Sequence, residues 1–140
     1  MTEAIHQGGC LCGAVRFEAR GRLRGVVYCH CTQCRRQSGH HFASTNVADD
    51  RLEITGAEHV TWFAASMDAA RGFCSRCGSV LFWKHRKLDH TSINAGCFDT
   101  PSGLKGSHHI FVADKGDYYE ITDGLPQHAA SSPDVVVAGD

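Results

Sequence analysis

A chain of 140 residues has the length of one ordinary domain, and its 42% hydrophobic and 21% charged residues are those of a folded globular protein rather than a disordered one. Against 15 Asp and Glu stand 14 Lys and Arg, a formal net charge of −1 that lacks the basic excess of a duplex nucleic-acid binder. No stretch approaches the roughly 20 apolar residues of a membrane-spanning helix, and residues 1–9 are polar, without the apolar core of a secretory leader, so the expectation is a cytoplasmic protein.

The dominant hydrophobic period along the chain is two. Residues 14–18 alternate, with Val15 and Phe17 on one face and charges on the other, and predict a strand. Residues 23–28 end in the β-favouring run Val26-Val27-Tyr28. One helical turn is expected at 32–37, followed by strands at 42–47, 51–55 and 59–63. Residues 64–70 contain helix formers, but too few for an independently stable helix. Further strands are expected at 79–83, 91–95, 109–112 and 118–121. Gly21, Asp49-Asp50, Gly56, Gly78, the Pro101 to Gly103 segment and Gly116 punctuate them. Many short strands so separated predict a mostly β domain over residues 1–128. The small, polar residues 129–140 read as a flexible tail, with 135–137 a candidate last strand.

Eight cysteines in a reducing compartment point to metal rather than to disulfides. Cys10-Leu11-Cys12 is flanked by glycines, Cys29-His30-Cys31-Thr32-Gln33-Cys34 follows the second expected strand, Cys74-Ser75-Arg76-Cys77-Gly78 lies between two strands, and Cys97 stands alone. Zinc takes four thiolate or imidazole ligands in a tetrahedron. A Cys-x-x-Cys turn converges two sulfurs, and Gly78 supplies the permissive backbone such a knuckle needs. A Cys-x-Cys pair on extended chain places both side chains on one side. Cys10, Cys12, Cys74 and Cys77 therefore suit one four-sulfur site, although Cys10 and Cys12 could instead join the triplet. Cys29, Cys31 and Cys34 leave a fourth position. Left open it is the pattern of a catalytic zinc; closed by Cys97 the site is structural. Either way the expectation is two Zn2+ per chain.

The order Gly9-Cys10-Leu11-Cys12-Gly13, Cys29-His30-Cys31-Thr32-Gln33-Cys34-Arg35 and Phe73-Cys74-Ser75-Arg76-Cys77-Gly78 resembles the glutathione-dependent formaldehyde-activating enzyme family, which includes centromere protein V. Asn94-Ala95-Gly96-Cys97-Phe98-Asp99, His109-Ile110-Phe111 and Asp123-Gly124-Leu125-Pro126 are similar too, so the resemblance runs over residues 8 to 126. It implies an Mss4-like fold of several small antiparallel sheets around zinc sites. It also implies a structural zinc on Cys10, Cys12, Cys74 and Cys77 and a catalytic zinc on Cys29, Cys31 and Cys34. The implied activity is that of a carbon–sulfur lyase joining a small thiol such as glutathione to a small aldehyde, as in S-hydroxymethylglutathione formation. Cys97 departs from the pattern, where a small residue such as Thr or Ser is frequent.

Other residues bear on the site. His30, inside the triplet, is placed to shape it without ligating, while His40-His41 and His108-His109 are weaker candidates among ten histidines. Arg35 and Arg36 follow the triplet and suit the carboxylates of an anionic thiol. Trp62, Phe63, Phe82 and Trp83 read as packing residues. The competing class of function is a non-enzymatic binding module with both zincs structural, since a fold alone does not decide function.

Overall fold

A computed structural model describes residues 3–132. In chain order these form β1 (Ile5–Gly9), β2 (Arg16–Arg20), β3 (Val26–Cys29), α1 (Thr32–Ser38), β4 (Phe42–Ala48), β5 (Leu52–Thr55), β6 (Val60–Ala64), β7 (Ala69–Cys74), β8 (Val80–His85), β9 (His90–Asn94) and β10 (Gly106–Ile110), with short 3-10 turns between some of them. The domain is mostly β, as the period-two patterning predicts. The strands make two sheets, one of three strands in the order β1-β2-β5 and one of seven in the order β10-β3-β4-β9-β8-β7-β6. Pairing is antiparallel throughout except for β10 against β3, which is parallel. No helix of the described residues is long and apolar enough to cross a membrane.

Alternation along β2 decides how the sheets meet. Val15, Phe17 and Ala19 turn inward onto Val47, Leu81, Phe82, Ile93 and Phe98 of the larger sheet and its connections, all buried. Phe17 meets Phe82 and Phe98 edge to face, at centroid distances of 5.9 and 5.1 Å. Glycine is required at Gly8, where a Cβ would stand 2.3 Å from the Cys97 carbonyl oxygen and 2.5 Å from the Phe17 ring. That close approach lets β1 bridge to Phe98.

Two local expectations differ from the structure, and two segments left without a predicted element become strands. β1 comes from the polar start; its strand state derives from pairing with β2, Ile5 to Arg20 through Gly9 to Arg16. Residues 64–70 are no helix but the end of β6, a tight turn and the start of β7, closed by Ala65 and Ser66 amides donating to the Ala69 carbonyl. Long-range pairing of β7 on both edges outweighs the helix propensity of alanine. The strand expected at 109–112 lies earlier, because β10 takes its register from β3 and ends before Phe111, whose φ is +54°. Residues 118–121 form no strand; Tyr119 is held instead by Lys115, which donates to its carbonyl and sits over its ring. At the end of the described chain, Phe111, Val112 and Ala113 amides donate to the Ala130, His128 and Ala129 carbonyls. The candidate strand at 135–137 lies outside the described residues.

Of the four aromatics read as packing, Phe82 is fully buried and Trp83 half-buried, whereas Trp62 and Phe63 on the edge strand β6 are 44% and 59% exposed.

Candidate metal centres

All eight cysteines are free thiols, and seven of them gather in two groups. The first is Cys10, Cys12, Cys74 and Cys77, whose sulfurs all lie within 4.8 Å of one another. Cys10–Cys12 and Cys12–Cys74 are 3.6 and 3.8 Å apart, the spacing that a tetrahedron with Zn–S of ~2.3 Å imposes on its edges, about 3.8 Å. The donor set therefore fits zinc. Cys74 ends β7 and Cys77 sits in the knuckle before β8, where the Gly78 amide donates to the Cys74 carbonyl at 2.8 Å with Gly78 at φ +79°. Cys10 and Cys12 are delivered by a turn, the Gly13 amide reaching the Cys10 carbonyl at 3.3 Å, rather than by extended chain. Backbone amides of Val15 and Arg76 donate to the Cys10 and Cys74 sulfurs, which favours thiolates. Cys77 is held down at about 5, first by the Ser79 hydroxyl and then by its amide. This group joins the β1–β2 end of the small sheet to the β7–β8 end of the large one.

The second group is Cys29, Cys31 and Cys34, likewise within 4.8 Å of one another. Cys29 ends β3, Cys31 is the N-cap of α1 with its sulfur accepting from the Cys34 amide, and Cys34 is buried inside the helix. Gly39, at φ +83°, stops the helix by donating its amide to the Arg35 carbonyl. Thiol hydrogen bonds from Cys29 and Cys34 hold Cys31 down at about 2, with the Cys34 amide and the Arg71 charge adding to them against burial. Arg71, buried on β7, donates one guanidinium nitrogen to the Cys34 sulfur at 3.4 Å and is itself held by Gln33 and Gln37 of α1. The three sulfurs open on a cavity of about 260 Å³, whose wall includes Arg24, Arg71 and Trp83. Three soft thiolate donors beside a cavity fit a zinc whose fourth position faces a ligand. Among the described residues, no other Cys, His, Asp or Glu joins this group.

Cys97 is placed differently from the sequence expectation. It lies beside the four-sulfur group, its thiol directed at the Val80 carbonyl, and burial, then the charges of Cys10 and Cys77, push it up to about 11. A short 3-10 turn at Ala95–Cys97, packed over β1, carries it onto the core cluster rather than into the wall of the cavity at the triplet. Arg35 and Arg36 do not line the cavity at the triplet; Arg36 lines an adjoining surface groove with Gln33, Gln37, Phe63 and Arg71. Arg24, Arg71 and Trp83 were not legible as site residues. The available signal was a charged residue, Arg71, in a strand otherwise made of small and apolar residues.

Strand alternation sends His30 to the face opposite its cysteine neighbours. There it is fully buried, with Nε2 2.8 Å from His109 Nδ1, and His109 Nε2 lies 2.8 Å from an Asp123 carboxylate oxygen. Tyr119 bonds the remaining nitrogen, His30 Nδ1. With Asp123 ionised and both rings neutral, the chain of donors runs one way: Tyr119 O–H to His30, His30 Nε2–H to His109, His109 Nε2–H to Asp123. Burial, and then the nearby imidazoles, press His30 down to about 4. The network fixes from behind the segment that carries Cys29 and Cys31. His109→Ala should leave His30 Nε2 buried without a partner and open a void, costing roughly 2–4 kcal/mol by urea unfolding, with zinc content unchanged.

Comparison with known proteins adds to this geometry. Over residues 5–114 the chain matches the model of a family described as glutathione-dependent formaldehyde-activating enzyme. A Halomonas elongata protein whose name provisionally gives it that activity is 32% identical over 128 residues, covering 82% of this chain and 80% of its own length. A Schizosaccharomyces pombe protein named as an uncharacterized lyase is 26% identical over 119 residues, 84% of this chain and 86% of its own. The crystal structure of a Rhodobacter sphaeroides protein shares the fold, with a TM-score of 0.55 at 23% identity over 87% of this chain and 98% of that one.

Proposed function

The chain belongs to the glutathione-dependent formaldehyde-activating enzyme family, and on that premise we propose that it is a zinc-dependent carbon–sulfur lyase-type enzyme acting on the adduct of a thiol, such as glutathione, and an aldehyde. The observation that carries this reading is the three-sulfur group, with no fourth protein ligand among the described residues, opening on a cavity. A zinc ion bound by Cys29, Cys31 and Cys34 would supply Lewis acidity that makes an incoming thiol a thiolate at neutral pH.

The chain's own residues support that chemistry through charge. Three thiolates and one divalent ion sum to a single negative charge, on which a second anion would be unwelcome. The guanidinium of Arg71, against the Cys34 sulfur, cancels that charge. The site then accepts one entering thiolate. In the forward direction the sulfur lone pair attacks the carbonyl carbon, the carbon–oxygen π pair moves to oxygen, and oxygen takes the proton the thiol gave up. In reverse the carbon–sulfur bond breaks and the same proton returns. Arg36, in the groove outside the cavity, offers a carboxylate of the thiol a partner, and Arg35 extends the same basic stretch of α1.

X-ray absorption at the zinc edge tests this reading. Protein purified without chelator should carry two zincs per chain, with an average sulfur count below four that rises toward four on adding glutathione. Cys97→Ala should behave identically, because Cys97 lies beside the other group. A wild-type spectrum of four fixed sulfurs that ignores added thiol would make both sites structural and the chain a binding module.

A further inference from the structure

The cavity at the triplet has a character that the family's smallest aldehyde leaves unexplained. Its wall carries Val27, Phe42, Trp83, Ile110 and Phe111 beside the three sulfurs. Its volume, about 260 Å³, is close to the lower end of pockets for organic ligands, ~300 Å³. Formaldehyde has two heavy atoms and is little larger than a water molecule, whose share of the liquid is ~30 Å³. It would leave most of this aromatic and aliphatic surface against solvent.

Charge decides which half of an adduct can enter. Glutathione carries two carboxylates and an ammonium. Among the described residues no Asp or Glu lines the cavity to receive the ammonium, and Arg71 would repel it. The two guanidiniums are already engaged, Arg24 with the Ser44 carbonyl and Arg71 with Gln33, Gln37 and the Cys34 sulfur. Three thiolates, a divalent ion and the Arg71 guanidinium sum to zero, so once one thiolate has entered nothing is left for a further carboxylate. A charged tripeptide therefore stays in the outer groove, and the group that fills the cavity is the other substituent on sulfur.

Resting on the reading of the triplet as the thiol site, we infer that the carbonyl-derived half of the adduct is an apolar alkyl or aryl group, seated against Trp83, Phe42 and Phe111. The substrate class is then the hemithioacetal of a hydrophobic aldehyde, with the carbon–sulfur bond held at the sulfur end by the triplet and its carbon end directed into the cavity.

S-substituted glutathiones are stable mimics that place a chosen group in that position. Calorimetric titration of the zinc-loaded wild-type protein with S-methyl-, S-propyl-, S-butyl- and S-benzylglutathione should show affinity rising about fourfold for each buried methylene, with the benzyl compound among the tightest. Trp83→Ala should weaken S-benzylglutathione about tenfold and leave S-methylglutathione unchanged, and Trp83→Phe should restore most of the loss. A flat or falling series, in a protein whose zinc-edge spectrum still responds to glutathione, overturns this inference while leaving the thiol site intact. Butanethiol binding more tightly than glutathione, with a flat S-alkyl series, would place the thiol's own body in the cavity and overturn it equally. Absence of any response to glutathione or its derivatives would remove the thiol site itself, and this inference with it.

Discussion

Cys74→Ser is expected to abolish the folded state. Cys74 is fully buried at the end of β7, and its sulfur is one edge of the group that joins the three-stranded sheet to the seven-stranded one. The binding free energy of a structural zinc is folding free energy, apparently ~10–16 kcal/mol in zinc-finger peptides. That is as large as the whole stability of a typical domain, about 5–15 kcal/mol. Losing one of four sulfurs forfeits a large part of it and leaves the other three thiols, one buried, one half-buried and one exposed, with no metal to hold them. The variant should lack a cooperative urea transition and show collapsed amide dispersion by NMR. Chelation of wild-type protein until both metals are gone should do the same. A variant that unfolds cooperatively near the wild-type midpoint would remove the structural assignment of this group.

Cys31→Ser is expected to do the opposite: leave the fold and remove the activity. Cys31 caps α1 through its side chain, accepting from the Cys34 amide. Serine is among the best residues at that position, so the helix start survives the change with stability altered by about 1 kcal/mol or less. The triplet, reduced to Cys29 and Cys34, has only two protein ligands and should lose its zinc, while the four-sulfur group keeps the other. Loss of a single residue that merely orients a ligand costs 10–100-fold, so loss of a ligand itself should reduce kcat/KM for adduct formation or cleavage by about 100-fold or more. One zinc per chain by metal analysis, a near-normal urea transition and background activity form the expected set. If Cys31→Ser unfolds the domain as severely as Cys74→Ser, the roles of the two groups are reversed.

Much of the core and of the ligand sets could be read from local pattern. Val15 and Phe17 announced β2 by alternation, because a strand with one buried face repeats every two residues. The cysteine groups were legible for a similar reason: a Cys-x-x-Cys-Gly knuckle is a local backbone shape, and Gly78 takes the positive φ that it needs. Where pattern failed or stayed silent, pairing partners at long range decided. Residues 64–70 carry helix formers too few for a stable helix, and β6 and β8 claim β7 from both sides. Residues 118–121 carry strand formers, but Lys115 and His30 hold Tyr119 elsewhere.

By itself the sequence determined which residues could ligate metal and that the domain is built from short strands. Thiol chemistry and turn geometry act within a few residues of chain, so they are written in spacing. Only the tertiary structure decided that Cys97 belongs beside the four-sulfur group, since nothing local tells a lone cysteine which sheet it will pack against. The same holds for Arg24, Arg71 and Trp83 around the triplet, and for His109, Tyr119 and Asp123 converging on His30. These contacts join residues up to 89 positions apart in the chain. Their energy is realised only when the β3–β4–β9–β8–β7 order of the sheet has brought them to one place, and no period or spacing in the sequence encodes that order.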